Sequence, residues 1–120
     1  MAWKTNPRRG DVVRARLDPV EGSEQAGERP VVVISPDFLN ERSPTIIVAC
    51  VTSKKTQRIF RNEVVLEPPE GGLKLRSKIM LSQIRTIDKT RLVGFHGQVS
   101  EDSLARIDDA IRISLGLVPF

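Results

Sequence analysis

The stretch Thr45-Ile-Ile-Val-Ala-Cys-Val-Thr-Ser53 carries the strongest strand signal in the 120-residue chain. Its side chains are mostly β-branched or small and are apolar on both faces, which is typical of a strand buried on both sides. Cys50 is the only cysteine, so it forms no disulfide within the chain, and we expect it to be a small buried hydrophobic residue. The stretch is therefore predicted to lie at the centre of a curled sheet or barrel.

Shorter strands are predicted on both sides of this central strand. In the first of them, Val13 and Ala15 alternate with Arg14 and Arg16, as in a strand with one buried face. A helical turn is predicted over residues 37–43. The remaining predicted strands cover residues 11–18, 31–35, 62–67, 77–86 and 92–99.

The end of the chain predicts an amphipathic helix. Ser100 is a suitable N-cap, the acidic pair Glu101 and Asp102 follows at the positive end of the helix dipole, and Gly116 is a stop signal. The apolar positions at helical spacing are Leu104, Ile107, Ile111 and Leu115, and the residues expected on the opposite face are Asp108, Asp109 and Arg112. Short strands followed by one helix predict a mainly β fold with α, as a single domain over residues 1–120.

The charge of the chain is concentrated in its middle. Residues 54–80 hold seven basic and three acidic side chains, which accounts for the whole net charge of +4, and such an excess favours a polyanionic partner. With four Phe, one Trp and no Tyr there is little aromatic surface on which bases could stack, so an RNA-recognition-motif platform is disfavoured. No apolar run is long enough to span a membrane, and we expect a cytoplasmic protein.

Few kinds of catalytic site are compatible with this composition. One His and one Cys make no zinc ligand set, and no glycine-rich phosphate-binding motif is present, so no metal and no cofactor is expected. His96 stands alone between Phe95 and Gly97, a setting in which histidine is usually structural.

A polar segment, Gly22-Ser-Glu-Gln-Ala-Gly-Glu-Arg-Pro30, places Arg29 at the start of the strand at 31–35. One interpretation is a surface connection in which Arg29 pairs with Glu24 or Glu28. The other is a phosphate clamp, because guanidinium is planar, permanently charged and matched to phosphate oxygens.

A hydroxyl pair, Thr52 and Ser53, stands where the central strand ends and a basic loop begins. We expect four cations of this loop to contact phosphates without reading bases: Lys54, Lys55, Arg58 and Arg61. Together with Arg29, these groups are suited to hold a phosphodiester and to stabilise charge developing on it. In RNA the 2′-hydroxyl supplies the nucleophile, so such a site needs alignment and charge neutralisation rather than a metal.

Several separated motifs resemble the MazF/PemK (Kid) toxins of type II toxin–antitoxin systems. They are Arg9-Gly-Asp-Val, Leu17-Asp-Pro, Gly22-Ser-Glu-Gln, Arg29-Pro30, Val51-Thr-Ser53, Gln83-Ile-Arg-Thr-Ile-Asp88 and Leu115-Gly-Leu117. The resemblance implies an SH3-like, partly open antiparallel β-barrel with a C-terminal helix, and a homodimer. It also implies metal-independent cleavage of single-stranded RNA at short sequences, which leaves 2′,3′-cyclic phosphate and 5′-hydroxyl ends. A cognate antitoxin with an acidic or extended C-terminal tail is the implied protein partner.

The same resemblance assigns roles to individual residues. Arg29 and Thr52 match the catalytic arginine and threonine. The expected RNA-binding residues are Ser23, Glu24, Gln25, Ser53, Lys54, Lys55, Arg58 and Gln83. One departure is Ser82, because many relatives have an acidic residue there; Glu24 is then the nearest carboxylate available as a base.

Two alternatives remain open. One is a non-enzymatic gyrase-poisoning toxin on the same scaffold, similar to CcdB, although the chain lacks the tryptophan-containing tail of such proteins. The other is a small barrel that binds RNA without cutting it.

Overall fold

The protein is represented by a computed structural model that describes residues 6–17 and 27–120. Within these residues the elements are β1 (Asp11–Arg16), β2 (Glu28–Val33), α1 (Asp37–Arg42), β3 (Thr45–Thr52), β4 (Glu63–Leu66), β5 (Ser77–Asp88), β6 (Leu92–Gln98) and α2 (Glu101–Ser114). Short 3₁₀ turns at Glu70–Gly72 and Lys89–Arg91 flank β5. Neither α1 nor α2 has the length and apolar character needed to cross a membrane.

The six strands form one antiparallel sheet in the order β4-β5-β3-β2-β1-β6. β3 pairs with β2 on one side and with β5 on the other, which confirms the prediction that residues 45–53 form a central strand. The ladder between β3 and β5 is irregular, because Ala49 faces Ile84 while the next residue, Cys50, faces Met80. The extra residues of β5 form a bulge, and a bulge bends and twists the strand that carries it.

The first face of the sheet is covered by α2. Ile107 and Ala110 of the helix pack into a cluster with Val12, Val32 and other residues of the strands, and we call this the helix face. The N-cap prediction is confirmed, since the Ser100 hydroxyl accepts a hydrogen bond from the backbone N–H of Ser103.

The opposite face, which we call the far face, is lined by a second buried cluster. Its members are Val13, Ala15, Leu17, Val31, Val33, Ile46, Val48, Cys50, Met80, Ile87 and Leu92. All of them come from strands or strand ends, so the described part of this core has no helix over it. Side chains of one sheet bury each other in this way only when the sheet curls, and the fold is a partly open antiparallel barrel with a C-terminal helix. The predicted fold class is confirmed, as is the burial of Cys50.

The N-terminal end of β1 is joined to both helices by a group that we call the N-terminal salt-bridge cluster: Arg8, Arg9, Asp11, Asp37 and Asp108. The Arg9 side chain donates to the Ile34 carbonyl and, at 2.6 Å, to the Asp108 carboxylate. The Arg9 backbone N–H donates to Asp37 at the start of α1. Asp108, expected with Asp109 and Arg112 on the face of α2 opposite the apolar positions, is half-buried because it turns toward this arginine.

Two other expectations need correction. β2 begins at Glu28, three residues before the predicted strand, so Arg29 lies inside β2. Leu115, predicted to continue the apolar side of α2, is 62% exposed because the helix ends at Ser114 and the chain leaves the core there.

Candidate nucleic-acid interface

Arg29 and Thr52 are brought together by the register of the two strands that carry them. Val31 of β2 faces Cys50 of β3, and extending this antiparallel ladder by two residues on each strand puts Arg29 opposite Thr52. Residues directly opposite in such a ladder have Cβ atoms about 4.5–5.5 Å apart. By alternation, Arg29 shares a face with Val31 and Thr52 shares a face with Cys50, and both belong to the far face.

This pair belongs to a row of residues that crosses the sheet. Ala15 of β1 faces Arg29, Thr52 faces Lys78 of β5, and Lys78 faces Val65 of β4. The far face therefore presents a cation, a hydroxyl and a second cation in neighbouring positions near the end of the barrel where β3 ends. Arg29 and Thr52 are each half-buried, and Lys78 is 5% exposed.

The Thr52 hydroxyl is oriented by the turn that follows it. Its Oγ1 accepts a hydrogen bond from the backbone N–H of Lys54 at 3.1 Å, which is a local turn typical of Ser and Thr. With a lone pair of Oγ1 engaged in this way, the hydroxyl proton is available to donate to an external oxygen. A phosphate oxygen is a suitable acceptor.

The basic loop, residues 53–62, folds back over the end of this row and is held by a buried ion pair. Lys78 and Glu63 are 3.0 Å apart, with side chains only 6% and 7% exposed. Lys78 Nζ also donates to the Arg58 carbonyl at 2.9 Å, while Glu63 Oε1 accepts from the Phe60 backbone N–H at 2.9 Å. A second cation, Arg76, donates to the Thr56 carbonyl. The loop backbone is thus anchored at several points.

Anchoring leaves most of the charged side chains of the basic loop facing solvent. Ser53, Lys54, Lys55 and Arg58 are all exposed. The guanidinium of Arg61, by contrast, donates to the carbonyl of Phe120 at the end of the chain. Arg61 is therefore engaged within the molecule, unlike the other cations for which phosphate contacts are expected.

The remaining predicted RNA-binding residues lie elsewhere or outside the description. Gln83 is half-buried in the bulge of β5, beside Cys50 rather than beside Thr52. Ser23, Glu24 and Gln25 fall outside the described residues. The segment that carries them is closed at its base, where the Leu17 N–H donates to the Gly27 carbonyl at 2.9 Å, and Arg85 donates to the Leu17 carbonyl.

In one interpretation of the sequence, Glu28 pairs with Arg29 in a surface connection. In the structure, Glu28 forms an ion pair with a different arginine. Glu28 lies 3.1 Å from Arg14, on the adjacent strand, and Arg14 also donates to the Glu28 carbonyl. Glu28 and Arg14 both alternate away from the far face. The strand geometry therefore sends Glu28 to the opposite side of the sheet from Arg29.

His96 lies in β6, far in the sheet order from Thr52. It is half-buried, and burial lowers the pKa of its imidazole, with the nearby positive charge of Arg14 adding to the effect. Its Nε2 is buried and has no hydrogen-bond partner in residues 6–17 and 27–120. In the sheet order, β2 and β1 separate its strand from the strand that carries Thr52, and the structural role expected for His96 stays a prediction.

The sequence patterns do not single out three residues of this region: Lys78, Glu63 and Phe60. A signal for the first two was present, because each charged residue lies directly beside apolar residues of a predicted strand, Lys78 before Ile-Met-Leu and Glu63 before Val-Val-Leu. Such charges need a partner when they are buried. In the described part of the chain, no group of three His, Cys, Asp or Glu side chains is arranged to hold a metal ion.

Comparison with known proteins gives a consistent family and fold. A family model described as PemK-like, MazF-like toxin of type II toxin-antitoxin system matches residues 8–115. The crystal structure of MazF from Deinococcus radiodurans is similar, with a TM-score of 0.80 and 26% identity over 93% of this chain and 98% of that chain.

Two mycobacterial structures share the fold. An endoribonuclease from a Mycobacterial species, in complex with its cognate antitoxin, has a TM-score of 0.78 and 24% identity, covering 95% of this chain and 98% of that one. The Mycobacterium tuberculosis toxin MazF-mt6 has a TM-score of 0.77 and 20% identity, covering 91% and 99%.

Proposed function

Because the chain belongs to the PemK-like, MazF-like toxins of type II toxin–antitoxin systems, we propose that it is an endoribonuclease that cleaves single-stranded RNA at specific short sequences. The observation that supports this proposal is the pairing of Val31 with Cys50, a register that, continued by two residues on each strand, aligns Arg29 with Thr52 where the basic loop leaves the sheet. The endoribonuclease from a Mycobacterial species described above, which shares the fold, supports it.

The reaction that suits these groups uses the RNA itself as the nucleophile. The 2′-oxygen attacks the adjacent phosphorus, the P–O2′ bond forms and the P–O5′ bond breaks. The products are a 2′,3′-cyclic phosphate and a 5′-hydroxyl. Arg29 binds the non-bridging oxygens, whose negative charge grows in the transition state, and the Thr52 hydroxyl donates to one of them. These contacts supply alignment and charge neutralisation, so the reaction as proposed requires no metal.

Two proton transfers complete the reaction. The 5′-oxygen must gain a proton as it leaves; Arg29 donates a hydrogen bond to it while keeping its positive charge, and the proton itself comes from water. The 2′-hydroxyl must lose one, and guanidinium is a poor base because it hardly deprotonates in proteins. Ser82 cannot replace the acidic residue common at its position, so we assign the base to Glu24.

The proposal extends to two protein partners. Relatives form complexes with a cognate antitoxin, among them the mycobacterial endoribonuclease and MazF from Deinococcus radiodurans in complex with MazE. An antitoxin tail that is acidic or extended would satisfy the exposed cations of the basic loop and block RNA from the same surface. We also propose a homodimer, because Leu115, Leu117 and Phe120 at the end of the chain are strongly exposed apolar residues.

The test uses Arg29→Ala and Thr52→Ala proteins on a long single-stranded RNA. Removing a donor that stabilises a developing oxyanion costs about 10²–10³ in rate, so both variants should lose at least that much cleavage. Arg42→Ala is the matched control, since Arg42 is an exposed arginine at the end of α1 near the opposite end of β3. Products are analysed for cyclic-phosphate ends, and cleavage is repeated with a chelator.

Parent-like cleavage by a folded Arg29→Ala or Thr52→Ala protein would contradict the proposed roles. Loss of activity in chelator would contradict the metal-free reaction but not the proposal that RNA is the substrate.

A further inference from the structure

Phe60 is an exposed aromatic ring in the middle of the most basic part of the chain. It is the only aromatic residue between positions 54 and 80, and it is 48% exposed. The Arg58 guanidinium lies 5.4 Å from the centre of the ring, and Lys78 Nζ lies 5.9 Å from it. Both cations lie within the distance at which cation–π attraction operates, and about half of the ring surface remains open to a further partner.

The backbone that carries this ring is unusually well fixed for an exposed loop. The Phe60 N–H donates to Glu63 and the Phe60 carbonyl accepts from the Glu63 N–H at 3.0 Å. Glu63 is itself held by the buried Lys78, which also binds the carbonyl of Arg58, two residues before the ring. A ring on a rigid support loses little conformational entropy when a ligand covers it, so it binds more strongly than a ring on a mobile loop.

The ring is also close to the row that carries Arg29 and Thr52. Lys78, whose Nζ lies near the ring, is the direct cross-strand neighbour of Thr52. A polynucleotide held at Thr52 therefore passes within reach of Phe60 as it follows the exposed cations of the basic loop.

We infer that Phe60 is a stacking platform for one unpaired RNA base, next to the linkage held by Arg29 and Thr52. The inference rests on the proposed function and adds a binding subsite to it. A nucleotide matches the chemistry of this surface because its base covers the ring while its phosphate meets Arg58 or Lys54. A peptide with acidic side chains alone would satisfy the cations but would leave the ring exposed. Stacking tolerates any base, so this contact contributes affinity and register rather than base choice.

The experiment measures binding of a single-stranded RNA that cannot be cleaved, because its 2′-hydroxyl at the cut site is replaced by hydrogen, with 2-aminopurine beside that site. Phe60→Ala should weaken binding about 5- to 150-fold, the range for loss of one base–aromatic stack. The quenching of 2-aminopurine seen with the parent protein should be lost. Phe60→Trp should restore both signals, whereas Phe60→Leu, which keeps apolar bulk without a π-face, should not.

Salt dependence separates stacking from charge. Because Phe60 is neutral, the slope of log affinity against log salt should be the same for Phe60→Ala and the parent. Phe38→Ala is the matched control: Phe38 is 63% exposed and lies under the Arg42 guanidinium, but it is on α1 near the opposite end of β3. It should bind RNA as the parent does.

The outcomes distinguish this inference from the proposed function. If Phe60→Ala binds RNA and quenches 2-aminopurine as the parent does, and still cleaves RNA, the stacking role of Phe60 is contradicted and the proposed nuclease activity is not. If RNA binding depends on Phe60 but the parent protein does not cleave RNA, the stacking role is supported and the proposed nuclease activity is contradicted. A Phe60→Ala protein that loses only dimer formation or antitoxin binding shows that the ring contacts protein, which also overturns the platform.

Discussion

The N-terminal salt-bridge cluster and the basic loop are both rich in arginine, but they use it in opposite ways. In the cluster, the Arg9 side chain donates to Ile34 and Asp108, groups of its own chain, and so ties the sheet to α2. In the basic loop, Lys54, Lys55 and Arg58 are exposed, and the backbone is held by other residues. A basic residue is structural when its hydrogen-bond donors are bonded within the molecule, and it is available to a ligand when those donors face solvent.

Lys78 links the two behaviours. It is buried and paired like the cations of the cluster, yet its partners are groups of the basic loop. Its contribution is to hold the loop in place so that its neighbours can remain exposed.

Removing Lys78 should produce the largest loss of stability. Breaking a buried ion pair from one side costs about 3–5 kcal/mol, because the partner charge stays buried without compensation. Lys78→Met should lower the free energy of unfolding by about that amount in urea denaturation. Replacing both residues, with Glu63→Leu added, should recover most of the stability but not the RNA affinity, because the loop has lost its anchors.

A single variant as stable as the parent would show that Lys78 and Glu63 do not depend on each other. Full recovery of RNA affinity in the double variant would show that the loop needs no anchor.

Arg9→Ala should affect stability and not chemistry. Two charge-assisted hydrogen bonds are lost, but Arg9 is 28% and Asp108 36% exposed, so solvent screening reduces the cost to about 2 kcal/mol. Cleavage per folded molecule should equal that of the parent, the reverse of what is expected for Arg29→Ala. A loss of turnover in fully folded Arg9→Ala protein would show that Arg9 contributes to cleavage and is not only structural.

Neutralising Lys54 and Lys55 together should change binding without changing stability. Both are exposed, and each phosphate contact contributes about 0.7 to the salt slope for single-stranded nucleic acid, so the slope should fall by about 1.4. Weakening should be uniform across RNA sequences. A shifted cleavage sequence, mapped by primer extension, would instead show that these lysines read bases.

The smallest effect concerns pH. Burial lowers the pKa of His96 in the folded protein below its ordinary value of 6.5. The unfolded chain therefore binds this proton more readily, so the stability associated with His96 is present above pH 6.5 and is lost as pH falls through the folded pKa. His96→Ala should flatten the pH dependence of urea denaturation just below pH 6.5, with cleavage unchanged. An unchanged slope would mean that His96 does not cause the pH dependence of the free energy of unfolding in this range.

Most of the fold could be predicted because its signals are local. Alternation marked β1, the apolar run marked β3, and Ser100 with its acidic neighbours marked the start of α2. One difference arose from a contact with a residue distant in the chain. Asp108 looks solvated on a helical wheel and is drawn inward by Arg9, which lies 99 positions away in the chain.

The site was predicted less completely. Arg29 and Thr52 were selected by chemistry and by family motifs, but their adjacency follows from the pairing of β2 with β3. Lys78, Glu63 and Phe60 could not be predicted as part of the site, because no local sequence pattern indicates that the basic loop packs against β4 and β5.

By itself, the sequence determined which segments become strands and helix, where the positive charge is concentrated, and which family the chain belongs to, since these depend on side-chain periodicity, composition and short motifs. The tertiary structure alone decided which cations face solvent, which are consumed by internal partners, and which residues share the row with Thr52. Strand register and sheet curvature bring together groups far apart in the chain, and those depend on how the whole barrel buries its two faces.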